Sequence, residues 1–101
     1  MKRLALLAAA VFLVAAAPAP DWRGAGARNL PPFTTSGPFT VHVSSSGLII
    51  VTVDNLADGS PAGVVTLPSA GKTASFEPKG GKFYLGVAGT ARWHIWVTPG
   101  P

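Results

Sequence analysis

Beyond its N-terminal segment, the chain carries two histidines, His42 and His94. It carries four acidic side chains, Asp21, Asp54, Asp58 and Glu77. Acid–base or nucleophilic catalysis needs such groups held together in sets. No G-x-S-x-G, no H-E-x-x-H and no carboxylate pair at a recognisable spacing is present. A Ser–His–Asp set can be written from Ser44, His94 and Asp54, as it can from almost any sequence. The expectation is a non-enzyme with no catalytic residue and no cofactor.

Metal chemistry is equally thin. There is no cysteine, and the single methionine is Met1. That excludes soft-metal sites built on thiolate or thioether ligands. His42 and His94 sit at outward positions of the first and last main strands, where two imidazoles could share a zinc ion. Zinc needs a third ligand and an orienting shell, and the sequence offers neither. The run Asp54-Asn55-Leu56-Ala57-Asp58-Gly59-Ser60 is oxygen-rich, as calcium loops are. Calcium wants six to eight oxygens, and no distal glutamate follows. Asp and Asn before Gly are also what a turn uses, so no metal site is expected.

The remaining candidate is a binding face. Arg92, His94 and Trp96 alternate with the apolar residues of the last strand. Tyr84 is expected to face the same way from the neighbouring strand. An exposed Trp and Tyr flanked by Arg and His can stack on sugar rings or anchor a protein contact. The alternative is that the preceding segment, with Trp22, Leu30 and Phe33, covers this face and makes Trp96 core.

The elements that must position these residues are strands. From Phe39 six strand segments read off the sequence: Phe39–Val43, Lys72–Glu77, Lys82–Ala88 and Arg92–Thr98 by period-two alternation, Leu48–Val53 as a β-branched apolar run and Gly63–Leu67 as a short strand. Turn residues separate them. The pattern predicts an all-β fold, a small antiparallel β-sandwich or partly open barrel of about six to seven strands. Phe39, Phe76, Phe83, Leu85, Trp93 and Ile95 are the expected core anchors, each contributing roughly 1.5–3 kcal/mol when buried. Gly81–Val87 followed by Trp93–Val97 resembles the closing strands of small bacterial secreted β-sandwich modules.

Before that domain, assigned to residues 38–101, residues 17–37 are rich in Pro and Gly and show no period. They read as an extended arm or linker. Residues 1–16 read as a cleavable Sec-type signal peptide: Met-Lys-Arg, an apolar run from Leu4, and small residues at Val14 and Ala16. The run of about 14 residues makes roughly 21 Å of helix. A bilayer core of about 30 Å needs about 20 apolar residues. Contact with the membrane is therefore expected to be transient. Pro18 and Pro20 disfavour later cuts, so the exported chain is expected to begin at Ala17.

The formal net charge is +4, and Lys2 and Arg3 leave with the signal. The remaining basic residues are scattered, so nucleic acid is not an expected partner. The leading expectation is a non-catalytic binding or interaction module, periplasmic or extracellular, whose partner is a protein or a glycan. The alternative is a structural subunit of an envelope or surface assembly, self-associating through strand edges.

Overall fold

The computed structural model describes residues 19–101; residues 1–16, the expected signal peptide, lie outside the described residues. Nine strands follow in order: β1 (Asp21–Ala25), β2 (Arg28–Asn29), β3 (Phe33–Thr35), β4 (Phe39–Ser45), β5 (Ile49–Asn55), β6 (Pro61–Leu67), β7 (Gly71–Glu77), β8 (Gly81–Gly89) and β9 (Arg92–Pro99). They form two antiparallel sheets packed face to face. One has the order β1-β9-β4-β7, the other β2-β8-β5-β6, with β3 also pairing β8. The architecture is a β-sandwich. Each of the six expected segments is a strand, and the segment before Phe39 adds three short ones.

The core follows from alternation. Phe39, Val41 and Val43 of β4 face Ile49, Val51 and Val53 of β5, all at most 1% exposed. Phe83, Leu85 and Val87 on β8 and Trp93, Ile95 and Val97 on β9 complete the inner faces. Five of the six expected anchors are buried.

Phe76 is the exception, at 49% exposure. Register decides it. Phe39, Val41 and Val43 point inward, and their partners on β7 are Glu77, Ser75 and Thr73. Directly paired residues share a face, so the polar set of β7 turns in and Ala74 and Phe76 turn out. An edge strand tolerates this because its inner face lies at the rim of the core.

The Pro/Gly-rich segment is extended and paired. β1 lies along β9, and β2 and β3 lie along β8. The segment thus crosses from one sheet to the other along one flank of the sandwich. Leu30 and Phe33 enter the core, and Trp22 packs against it. The Phe33 ring sits 5.8 Å from Trp22, 5.8 Å from Phe39 and 6.1 Å from Phe83. These residues fill the inside of the sandwich and leave the outer face of the β9 sheet uncovered. Trp93 is tied to the same segment, its indole Nε1–H donating to the Gly26 carbonyl at 3.0 Å.

Candidate functional site

The outer face of the four-stranded sheet is built by the polar half of each strand's alternation. Trp96 on β9 lies between Asp21 on β1 and His42 on β4; one step along, His94 lies between Arg23 and Ser44. Three rings converge here. The His42 ring stacks on Trp96 with centroids 5.1 Å apart and planes 7° apart. The His94 ring stacks on the same indole at 4.4 Å and 28°. Trp96 therefore stands among imidazoles and is half-buried, not an open platform.

Hydrogen bonds fix both imidazoles. His42 Nε2 is 2.8 Å from Thr98 Oγ1, and His94 Nε2 is 2.8 Å from Asp21 Oδ1. The His94–Asp21 pair joins the N-terminal segment to the last strand by side chains as well as backbone. Among the described residues it is the only ion-pair geometry, with His94 25% and Asp21 56% exposed.

Of the four residues expected to form the binding face, His94 and Trp96 are in contact. Arg92 shares their face but lies at the far end of β9, opposite Ala25. Tyr84 is elsewhere. It sits on β8 in the other sheet, opposite Asp54, on the outer face of that sheet. β8 and β9 are consecutive but do not pair; the chain crosses between sheets at Gly89, whose φ is 133°. Asp21, His42 and Thr98 take the places around Trp96 instead. Asp21 had no signal beyond the short alternation Asp21-Trp22-Arg23.

The expected neighbourhood of His42 and His94 is present, since β4 and β9 pair. Among the described residues no group of three His, Cys, Asp or Glu is placed to hold a metal ion. Ser44 is opposite His94 in the register, but no side-chain hydrogen bond joins them among the described residues. Asp54 is on the other sheet, where its Oδ2 accepts from Thr52 Oγ1 at 3.2 Å. The carboxylate on His94 is Asp21.

The oxygen-rich loop after β5 is a closed turn. Asp58 Oδ1 accepts from the Ser60 amide at 2.9 Å and from Ser60 Oγ at 2.7 Å. These bonds, the backbone one first, hold the Asp58 carboxyl below the usual carboxylate range. Asn55 Nδ2 donates to the Ser60 carbonyl, and the Gly59 amide returns to the Asn55 carbonyl at 2.8 Å. Gly59 has φ 72°, which this turn requires.

No family model matches the chain. No curated protein matches it either. Among solved structures it is similar to a chain of the Bacillus endospore appendages, described there as a novel family of disulfide-linked pili. The TM-score is 0.53 over 79% of this chain and 78% of that one, at 10% sequence identity. At that identity the likeness is one of fold.

Proposed function

We propose that this chain is an exported, non-catalytic structural subunit that self-associates into an envelope or surface assembly by pairing of strand edges. The observation that carries the reading is the flank opposite the N-terminal segment. There β7 ends one sheet and β6 ends the other. Each carries a large apolar side chain in solvent, Phe76 at 49% and Val64 at 57% exposure. Unpaired edges with exposed apolar residues are templates for another chain's strand. The other flank supports the same reading, because β1, β2 and β3 are added to both sheets by edge pairing from one segment. Exchange of such a segment between copies is a low-cost route to association.

The fold likeness to an appendage chain adds support. One chemical difference follows from composition: this sequence has no cysteine, so its assembly is held without disulfides of its own. Lysine at Val64 or Phe76 should block edge pairing without touching the core. Analytical ultracentrifugation of the wild type and the two variants tests the reading.

A second reading rests on the His42–Trp96–His94 cluster: an interaction module that uses this face for a protein or glycan. Tryptophan fluorescence that shifts with polysaccharide but not with protein concentration favours it over assembly.

A further inference from the structure

Where β7 ends, Glu77 turns its side chain between the sheets, and the residue as a whole is only 6% exposed. Its Oε2 accepts from Ser75 Oγ at 3.2 Å. Among the described residues no other side chain donates to it, and no Lys, Arg or His lies within ion-pair distance. Oε2 is thus engaged by one hydroxyl, while Oε1 has no side-chain partner among the described residues and keeps contact with solvent.

Three features converge on this group. Gly63 on β6 lies directly beneath it: a Cβ there would meet Glu77 Cδ at 2.9 Å and Oε1 at 3.0 Å. Any side chain at 63 would occupy the carboxylate's place. Next, β6 holds one extra residue, since Val53 pairs Gly63 but Asp54 pairs Pro61. The resulting bulge at Ala62 bends the strand here, a device common beside binding sites. Third, a cavity of about 290 Å³ opens at this point, lined by Asn55, Ala62, Glu77, Pro78 and Phe83. Asn55 uses its Nδ2 on Ser60, which leaves its Oδ1 as an acceptor.

We propose that this cavity binds a primary ammonium group on an aliphatic stem. Glu77 Oε1 and Asn55 Oδ1 accept from the head, and Ala62, Pro78 and Phe83 cover the methylenes. Calcium does not suit it, because the walls are largely apolar and calcium asks for six to eight oxygens. A guanidinium asks for both carboxylate oxygens, and Ser75 already engages one. The ammonium comes from a lysine of a second copy or from a free amine. Lys79 also lines the rim, but it is exposed and unpaired with Glu77.

The test is an NMR titration of the purified protein with n-butylammonium, with n-butanol as the neutral control. Amides of Gly63 and Phe83 should shift and saturate in the millimolar range for the ammonium alone. Glu77→Gln keeps the shape and the Ser75 contact and should weaken binding by about tenfold, as loss of a charge-assisted hydrogen bond implies. Gly63→Ala, with folding checked by its amide spectrum, should abolish binding by displacing the carboxylate. Lys79→Ala, which removes a like charge from the rim, should bind butylammonium at least as tightly as the wild type. Equal response to butanol, full binding by Glu77→Gln, or binding that appears only in Lys79→Ala would overturn the proposal.

Sedimentation in the presence of butylammonium separates the sources. Dissociation of the assembly assigns the ammonium to a second copy, and persistence assigns it to a free amine. A monomeric protein that still binds butylammonium would end the assembly reading and leave this site standing.

Discussion

Asp21 and His94 are 73 residues apart in the chain, and their side chains meet at 2.8 Å on the outer face of one sheet. The contact pins β1 to β9 beside the Trp96 indole. It lies at an exposed position, where such pairs contribute about 0.2–1 kcal/mol. Asp21→Ala should therefore leave global stability nearly unchanged and let β1 fray. Hydrogen exchange at the Val97 amide, which donates to the Pro20 carbonyl at 3.0 Å, should quicken while core amides of β4 stay protected.

Trp93→Ala and Trp96→Ala should differ sharply. Trp93 is 4% exposed inside the sandwich, and removing a buried aromatic costs about 3–5 kcal/mol. Small domains are stable by only about 5–15 kcal/mol, so Trp93→Ala should leave little folded protein. Trp96→Ala loses ring stacking outside the core, about 0.5–1.5 kcal/mol per pair, and should stay folded. Denaturant melts of both variants check this.

Deleting residues 19–36 should prevent folding. The deletion takes Leu30 and Phe33 out of the core at 4% and 9% exposure and strips both sheets of a strand pairing. Leu30→Ala alone should cost about 2–5 kcal/mol. A truncated protein with the same melting midpoint as the full chain would contradict the role given to this segment.

The loop after β5 makes a pH-dependent contribution of definite sign. The Ser60 amide and hydroxyl lower the Asp58 pKa. A depressed carboxylate favours the folded state above the ordinary carboxylate range, and that contribution is lost as pH falls through the lowered value. An NMR titration should find Asp58 below an ordinary aspartate. Ser60→Ala, which keeps the backbone donor, should raise it part of the way back.

Strands with apolar residues on one side and polar ones on the other were legible as strands and as faces. In Phe83–Val87 and Trp93–Val97 the inward set is unambiguous. β7 was legible as a strand but not as a face, because Phe76 is its bulkiest side chain and only pairing with β4 shows that it turns outward. β1 to β3 were invisible, since strands of two to five residues among prolines show no measurable period. The expectation that Tyr84 shares a face with Trp96 rests on the usual pairing of consecutive strands. Nothing in Gly89-Thr90-Ala91 distinguishes a crossing between sheets from a hairpin turn. The sites that depend on long-range register, Asp21 on His94 and Glu77 over Gly63, follow from the same unseen pairings.

Sedimentation velocity on a protein beginning at Ala17, across a wide concentration range, tests the central claim most directly. The account predicts species that grow with concentration in the wild type. It predicts a folded monomer for Val64→Lys and Phe76→Lys. A wild-type protein that stays monomeric at every concentration, or lysine variants that associate like the wild type, would contradict it.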